Sequence, residues 1–300
     1  MNHKILISGL INEEITVGVD SFPIDYSPVE YSFFGVNSSI GGVGYNVLQA
    51  LKKLGDSPDI YSLFGKDLTG EKIEENIKRA GTSIRFLQKS LKQTPQSVIL
   101  VDKQGARKIY CDLKDIQEQR YEGKPLDNYE LAVLTNINFS RCFIAHCKNK
   151  KIKIATDVHC LSNTEDEYNK EFCENADILF LSNEYIKGRE EEFVKDLYRT
   201  YKNDIIVIGC GSEGSLMYLG NLDKFIKVEA YVPRGIVSTT GAGDALFSAF
   251  IHFYLEHYDI DVALKLASLF AGYKIGEVGS ANGFLSDSDL LKLAKEYNII

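Results

Sequence analysis

The amino-acid sequence predicts an α/β fold organised around a mostly parallel sheet, and two patterns support this prediction. From residue 60 onward, short apolar runs typical of buried strands alternate with stretches of helical spacing. Several of these runs end in polar or glycine residues, among them Asp157, Asn183 and Gly211. Because ligands of parallel sheets bind beyond the carboxyl ends of the strands, these three positions indicate where a site would form.

The first third of the chain combines strand patterns with a strongly periodic helix. An apolar face at Val47, Leu48, Leu51 and Leu54 predicts this helix, and Gly55 is typical of its C-terminal end. Two strand patterns joined by a turn at residues 103–105 predict a hairpin. The predicted strands cover 5–8, 15–19, 31–39, 60–64, 97–101 and 108–111, and a second helix covers 70–80.

The remaining two thirds predict further strands and helices in alternation, and then a helical C-terminal part. This order favours helices on both faces of the sheet. The strands are predicted over 131–134, 152–155, 178–181, 205–208, 215–219 and 225–228, and the last three helices over 244–257, 261–274 and 288–297.

Composition and charge exclude several classes of function. The net charge of −8 opposes binding to nucleic acid or to an anionic membrane surface. No apolar run approaches the length of a membrane span, and the run near the N-terminus is too short for a signal sequence. We therefore expect a cytoplasmic protein. The six cysteines form no CxxC pair, and the spacing of Cys142, His146 and Cys147 matches no standard metal site.

The stretch Ser238–Asp244 has the composition of a phosphate-handling loop. Gly241, Ala242 and Gly243 are small, and Asp244 follows them at the start of an apolar helical run. Amides at a helix N-terminus attract anions, and a carboxylate beside them can accept the proton of an attacking hydroxyl. A plain helix entry with one acid in the first turn explains the same residues. This stretch alone leaves both interpretations open.

Other nucleotide motifs are weak or absent. Residues 209–214 match GxGxxG after a strand, but the pattern that follows them predicts another strand, whereas the dinucleotide fingerprint requires a helix. A Walker A loop and the protein-kinase HRD and DFG motifs are missing.

Two glycine motifs in the right order and spacing give the strongest signal of function. They are Gly41-Gly42-Val43-Gly44-Tyr45-Asn46 and Thr239-Thr240-Gly241-Ala242-Gly243-Asp244. With the turn at 65–70, the Gly105-Ala106-Arg107 hairpin and the glycines at 211–214, they resemble the ribokinase-like (PfkB-type) family of sugar and nucleoside kinases. The resemblance covers nearly the whole chain.

This resemblance implies a three-layer domain over residues 1–300 with a small β lid at about 11–38 and 94–112. It also implies transfer of the γ-phosphoryl group of ATP, with Mg²⁺, to a primary hydroxyl of a small sugar. By resemblance, Asp244 is the base, and the amides of Gly241, Ala242 and Gly243 stabilise the transferred group. The nucleotide-binding residues implied are Asn183, Gly211, Gly214 and Thr240.

The acceptor site implied by the resemblance lies near the first glycine motif. Gly41 and Gly42 let a polyol approach the backbone, and Asn46 can both donate and accept hydrogen bonds. Asn12 and Glu14 follow the first strand, where the longer Glu14 stands in place of the usual aspartate.

Two positions depart from the family pattern. Ile186 replaces the final acid of the N-x-x-E motif that begins at Asn183, so Mg²⁺ is expected to rely on Asn183, Glu184 or water. Ser238 replaces the aspartate that is often tied to a monovalent cation, and a hydroxyl is a far weaker cation ligand. We therefore do not expect activation by K⁺.

These departures leave alternatives to a sugar kinase. A nucleoside or pseudouridine kinase fits the same motifs, and the changes at Ile186 and Ser238 motivate a catalytically weak sugar- or nucleotide-binding sensor. Lids of this family often pair, so a homodimer is expected.

Six side chains outside the motifs also carry expectations. Tyr31, Phe33 and Phe34 are expected on the inner face of the lid, where they would exclude water. His159 either touches a ligand or is an ordinary loop histidine, and His252 and His257 are expected at the surface.

Overall fold

A computed structural model describes residues 3–300 of the chain as two β-sheets with helices around the larger one. The strands are β1 (Ile5–Ser8), β2 (Asn12–Gly18), β3 (Val36–Gly41), β4 (Asp59–Gly65), β5 (Leu87–Leu91), β6 (Gln96–Val101), β7 (Arg107–Asp112), β8 (Leu131–Leu134), β9 (Lys153–Cys160), β10 (Ile178–Ser182), β11 (Ile205–Gly209), β12 (Ser215–Leu219) and β13 (Lys224–Val228). The helices are α1 (Val43–Leu54), α2 (Leu68–Arg79), α3 (Ile144–Lys150), α4 (Lys170–Asn175), α5 (Glu190–Tyr201), α6 (Ala242–Leu255), α7 (Ile260–Lys274) and α8 (Asp287–Glu296).

The larger sheet has nine strands in the order β13-β12-β11-β10-β9-β8-β1-β4-β5. The strands from β11 to β5 run parallel, and β12 and β13 are antiparallel at one edge. The predicted mostly parallel α/β sheet is therefore confirmed. Ser182 at the end of β10 lies between Cys160 of β9 and Gly209 of β11, so these three strands end side by side.

Alternation along β1 shows why the sheet is the middle of three layers. Ile5 and Ile7 pack into a core with residues of α1, α6 and α7, whereas Leu6 packs into a second core with residues of α3 and α5. Successive side chains of a strand point to opposite faces, so a continuous apolar run is needed where both faces are covered. The first strand has exactly that composition, and its four residues are buried.

The smaller sheet has four strands in the order β3-β2-β6-β7. They come from the two segments that the resemblance implies for the lid. β2 pairs with β6 in parallel and with β3 in an antiparallel ladder that ends at the pair Asn12 and Gly41. This ladder connects the sheet directly to the start of α1, where the first glycine motif lies.

The structure corrects two predicted strands and adds one that was missed. β3 begins at Val36, and the segment before it, which turns at residues 33–34, leaves Tyr31, Phe33 and Phe34 exposed rather than covered. β9 continues through a bulge at His159 to Cys160, so Asp157 lies within the strand and not beyond it. The edge strand β5 (LQKSL) was not predicted, because its polar middle lacks the apolar signal of a buried strand.

His252 is buried, which corrects the expectation of a surface histidine. Its Nδ1 lies 2.9 Å from Asp56 Oδ2, and Asp56 is buried as well. The helix α6 is apolar around its whole circumference, so sequence periodicity does not distinguish its inner face from its outer face.

Within residues 3–300, no helix combines the length and the apolar composition needed to cross a membrane.

Candidate functional site

The N-terminus of α6 is the centre of the candidate site, and its shape depends on Gly241. This residue caps the helix with φ of 78°, a left-handed conformation that favours glycine. A Cβ atom at this position would lie 2.3 Å from the carbonyl oxygen of Ser280. The close contact brings the loop after α7 against the first turn of α6.

Several amides at this helix end are available to a ligand. Ala242 N donates to Thr239 O at 3.2 Å, whereas the amides of Gly241, Gly243 and Asp244 have no acceptor among residues 3–300. The first amides of a helix point along its axis and attract negative charge. Of the three amides predicted to bind an anion, those of Gly241 and Gly243 are therefore open to a ligand. The amide of Ala242 is already bonded to the preceding loop.

Asp244 is positioned by a side chain from the first glycine motif. Asn46 Nδ2 donates to Asp244 Oδ2 at 2.7 Å, and Asn46 is buried in the first turn of α1. Since α1 packs along α6, the two glycine motifs meet in space. The other polar atom of this side chain, Asn46 Oδ1, is buried without a partner among the described residues.

The surroundings of Asp244 raise its pKa to about 6. Burial contributes most, and the nearby carboxylates of Asp157 and Glu14 act in the same direction. The hydrogen bond from Asn46 and the proximity of His159 lower the pKa again, but they do not offset the burial. A carboxylate with this pKa is ionised near neutral pH and is a stronger base than a solvated aspartate.

Glu14 is a buried carboxylate that joins three parts of the chain. Its Oε1 accepts from Gly42 N at 3.1 Å and its Oε2 accepts from Ser280 Oγ at 2.6 Å. A Cβ at Gly41 would lie 2.1 Å from Glu14 Cδ, so glycine at 41 makes room for this carboxylate. The expectation from sequence was different, namely that Gly41 makes room for a ligand.

Asn12 and Gly42 lie beside this carboxylate. Asn12 is buried, and its Nδ2 donates to Ser97 Oγ at 2.7 Å, while its Oδ1 has no partner among the described residues. Gly42 has φ of 91°, and a Cβ there would lie 2.7 Å from Leu10 O. The five residues predicted for the acceptor therefore gather around Glu14 and α1.

A second group of predicted residues lies at the ends of β10 and β11. Asn183 is buried, and its Nδ2 donates to Glu190 Oε1 at 2.8 Å. Burial pulls the pKa of Glu190 upward, but the hydrogen bond from Asn183 and backbone donors hold it below its usual range. Ile186 packs in the core, and Glu184 is exposed.

Glu190 was not predicted. Sequence reasoning looked for an acid three residues after Asn183, where Ile186 stands, and considered Glu184 as a substitute. The acid that bonds Asn183 instead lies seven residues on, at the first position of α5. Three consecutive acids at 190–192 were the available signal, but they read as an ordinary helix start.

Gly211 and Gly214 form the turn between β11 and β12. Gly211 is exposed with φ of 59°, and Gly214 has φ of 91° and would place a Cβ 2.0 Å from Val228 O. A strand follows this turn, as the sequence predicted, so residues 209–214 do not start a dinucleotide-binding helix.

Two cationic side chains reach the second glycine motif. Arg107 Nη1, from β7 of the smaller sheet, donates to Thr239 Oγ1 at 3.2 Å. Lys274, in the last turn of α7, is completely buried, and its Nζ donates to Thr240 O and to Gly279 O, the latter at 2.6 Å. Burial lowers the pKa of Lys274 to about 8, although the carboxylates of Asp244 and Glu14 oppose this effect.

Lys274 was also missed, because a lysine in the last turn of a helix is ordinary. Its burial follows only from the way the loop after α7 folds back onto α6.

No group of three or more His, Cys, Asp and Glu side chains in residues 3–300 is arranged to hold a metal ion. The cysteines in this range are free thiols.

Comparison with known proteins gives a consistent match. The sequence model of the pfkB family of carbohydrate kinases matches residues 13–287. A nucleoside kinase of Methanothermobacter thermautotrophicus is 25% identical over 264 residues, which cover 84% of this chain and 83% of that protein.

Two solved structures share the fold over nearly their whole length. A microbiome-derived acarbose kinase superposes with a TM-score of 0.84 at 22% identity, covering 98% of this chain and 99% of that one. The Arabidopsis thaliana ribokinase, complexed with ribose and ATP, superposes with a TM-score of 0.80 at 19% identity, covering 98% and 99%. At these identities the superpositions establish the fold and its ribokinase-like architecture.

Proposed function

The chain belongs to the pfkB family of carbohydrate kinases, and we propose that it transfers the γ-phosphoryl group of ATP to a primary hydroxyl of a small sugar. One observation carries this proposal. The carboxylate of Asp244, held by Asn46 at 2.7 Å, stands in the first turn of a helix whose amides of Gly241 and Gly243 are open. A base and an anion-binding helix end thus lie within one turn of each other.

The reaction that fits this geometry is a direct displacement. The acceptor hydroxyl forms a new bond to the γ-phosphorus, the bond from that phosphorus to the bridging oxygen breaks, and ADP leaves. The hydroxyl proton passes to Asp244 as transfer proceeds, because an alcohol is far too weak an acid to lose it beforehand. The open amides stabilise the charge on the transferred group.

Arg107 and the glycine turn at Gly211 and Gly214 are suited to the nucleotide. Arg107 bonds Thr239 beside the helix N-terminus, and its guanidinium can bind phosphate oxygens. Gly211 leaves the end of β11 free of a side chain, since a Cβ there would meet nothing within 4 Å, so a nucleotide can lie against the backbone, and Gly214 shapes the turn by its close approach to Val228 O. We place Thr240 with them, since it precedes the open amides.

Mg²⁺ would be held mainly by the phosphates of ATP and by water. Asn183 and Glu190 supply an oxygen-rich pair of side chains, which fits a hard cation that keeps several waters. Bound there, Mg²⁺ would neutralise phosphate charge. We assign Glu190 to this role in place of Glu184, because Glu184 is exposed and Glu190 bonds Asn183.

The acceptor is proposed to bind between Glu14, Asn12 and Asn46. Asn12 Oδ1 and Asn46 Oδ1 are buried acceptors without a partner among residues 3–300, and sugar hydroxyls would satisfy them. A nucleoside is a second candidate acceptor, since the archaeal relative is a nucleoside kinase and a ribosyl ring presents the same hydroxyls.

The test is ADP release from ATP and Mg²⁺ with a panel of sugars and nucleosides, with the Asp244→Asn variant as control. Turnover with a sugar that Asp244→Asn abolishes supports the proposal. Ligand binding without turnover across the whole panel would favour a sensor. Turnover that Asp244→Asn leaves unchanged would refute Asp244 as the base.

We also propose that the smaller sheet acts as a lid and pairs with that of a second copy. The proposal is supported by the exposed large apolar side chains on this sheet and its loop: Ile24, Tyr26, Val29, Tyr31, Phe33, Phe34, Val36, Ile109 and Tyr110. Monodispersity at the dimer mass, lost in a Phe33→Ser/Phe34→Ser variant, is expected by light scattering. A single functional domain and a cytoplasmic location remain predictions.

A further inference from the structure

We infer that the ammonium group of Lys274 is a built-in monovalent cation that does in this chain what a bound K⁺ would do. The inference rests on the proposed kinase site and names a positioning residue within it. Among the described residues, Lys274 Nζ donates to backbone carbonyls and forms no hydrogen bond with Asp244, so it acts through the backbone.

Two backbone carbonyls are already engaged by this ammonium. Lys274 Nζ donates to Thr240 O and, at 2.6 Å, to Gly279 O. Its side chain is completely buried, and a buried ammonium is stable only where such acceptors surround it. Carbonyl oxygens converging on a buried positive charge are also the environment that a dehydrated alkali cation requires.

The ammonium group of Lys274 lies near Ser238, where the family pattern has an aspartate. The amide of Ser238 donates to Ile275 O at 3.0 Å, and Ile275 directly follows Lys274. Ser238 has no carboxylate to attract a free cation, and Thr240 O is already bonded to Lys274. The residues present therefore do not fit a bound K⁺, because an ammonium stands in the same neighbourhood.

The chemical consequence follows from the peptide bond that Lys274 contacts. Thr240 O and Gly241 N belong to one peptide unit, and a positive charge at the oxygen strengthens the N–H on the other side as a donor. That N–H is one of the open amides at the start of α6. The ammonium also offsets the buried carboxylates of Asp244 and Glu14, both of which interact with it electrostatically.

The decisive experiment measures cation-specific stability and needs no substrate. Thermal unfolding of the full chain is followed at constant ionic strength in KCl, NaCl or choline chloride, for the wild type, Lys274→Ala and Lys265→Ala. Lys265 is a half-buried lysine of the same helix and is the matched control. We expect only Lys274→Ala to gain several degrees in KCl over choline chloride, because a cation can then bind the vacated carbonyls.

A Lys274→Ala protein that unfolds at the same temperature in all three salts would overturn the inference. So would a wild type that K⁺ stabilises as strongly as it stabilises the variant. If Lys274→Ala folds too poorly for a thermal unfolding transition to be measured, its refolding yield in the three salts gives the same comparison. Equal yields in the three salts would contradict the inference.

A second measurement uses turnover, once an acceptor is known. Wild-type turnover should be the same within about twofold in KCl and choline chloride, while Lys274→Ala should lose at least tenfold in choline chloride and recover several-fold in KCl or NH₄Cl. Strong K⁺ activation of the wild type contradicts the inference. Absence of turnover in every protein, with the K⁺-specific stabilisation intact, would instead refute the proposed function.

Discussion

Asn46 Nδ2 donates to Asp244 Oδ2 at 2.7 Å and thereby joins two residues that lie 198 positions apart in the chain. The donor is buried at the start of α1, and the acceptor stands in the first turn of α6. The bond leaves Asp244 Oδ1 as the oxygen able to accept a proton from a substrate. It also ties the acidity of the proposed base to a residue of the proposed acceptor site.

Asp244→Asn is expected to lower turnover by roughly 10²–10⁴-fold, the usual contribution of general-base catalysis, since the amide cannot accept the proton. The fold should persist, because Asn46 can still donate to the new side-chain oxygen. The measurement is ADP release under saturating ATP and acceptor. Loss of less than tenfold would mean that another group takes the proton.

The same substitution should make the protein more stable at neutral pH. The pKa of Asp244 is raised to about 6 from an ordinary 3.8, so its ionised form opposes folding, and this cost appears between about pH 4 and pH 6. We expect Asp244→Asn to add about 1–2 kcal/mol to the free energy of unfolding at pH 7, because one pKa unit corresponds to about 1.4 kcal/mol and part of the hydration remains. At pH 4 the difference should shrink, and urea titrations at both pH values check this.

Asn46→Ala should move the acidic limb of the activity profile to higher pH. Its hydrogen bond lowers the pKa of Asp244, so removing it allows burial to raise that pKa above about 6. The check is kcat against pH from 5 to 8, with Asn76→Ala as control, because Asn76 is a half-buried asparagine of α2, outside the proposed site. A uniform loss of activity with an unshifted limb would show that Asn46 has only a structural role.

Glu190→Gln and Glu184→Gln form a matched pair that tests the proposed Mg²⁺ site. Removing the charge of Glu190 should raise the Mg²⁺ concentration needed for half-maximal turnover by about tenfold, because the Asn183 partner loses its anionic neighbour. Glu184→Gln should behave like the wild type. If instead Glu184→Gln raises the Mg²⁺ requirement and Glu190→Gln does not, Glu184 would be the acid that serves Mg²⁺.

The fall of turnover at high pH should follow the deprotonation of Lys274. Burial lowers its pKa to about 8, with contributions of the same sign from Arg107 and Arg234, whereas Asp244 and Glu14 raise it. The charged form therefore costs folding free energy below about pH 8, a cost relieved as the pH rises toward the ordinary 10.5. Turnover should change in the opposite sense and fall above about pH 8, as the ammonium is lost.

The control for this prediction is Lys274→Ala assayed in KCl, which has no such proton to lose. Its turnover should stay flat across the range where that of the wild type falls. A wild-type profile that is level to pH 10 would show that the charge of Lys274 is unimportant.

Gly241→Ala should mainly lower the stability of the fold, whereas Gly243→Ala should mainly weaken ligand binding. A Cβ at Gly241 would meet Ser280 O at 2.3 Å in a left-handed conformation, so Gly241→Ala should cost several kcal/mol of stability. At Gly243 the nearest neighbour is Asp157 Oδ2 at 4.0 Å, so Gly243→Ala should fold normally and weaken nucleotide binding. Thermal unfolding and an ATP titration distinguish the two effects.

The features that could be predicted from the sequence are those set by residues close together in the chain. β1 and α1 were correct because four consecutive apolar residues and an apolar stripe ended by Gly55 are local patterns. The second glycine motif was located for the same reason. Its contacts with Asn46 and Ser280 are long-range, and neither contact was predicted.

The residues that were missed share one property, which is that their role comes from burial by distant parts of the chain. Lys274 resembles any lysine near a helix end until Gly279 and Thr240 enclose it. Glu190 resembles any acid of a first helical turn until the end of β10 places Asn183 beside it. Patterns of spacing do not contain this information.

The smaller sheet is attached to the rest of the molecule unequally at its two sides. On the β2 side, Glu14 is buried and bonded to both Gly42 and Ser280, so this side cannot separate without breaking both hydrogen bonds. On the β7 side, Arg107 forms an exposed hydrogen bond with Thr239 in the loop before α6. If the sheet swings, β2 is the hinge and β7 is the free edge, and nucleotide and acceptor would enter past Arg107.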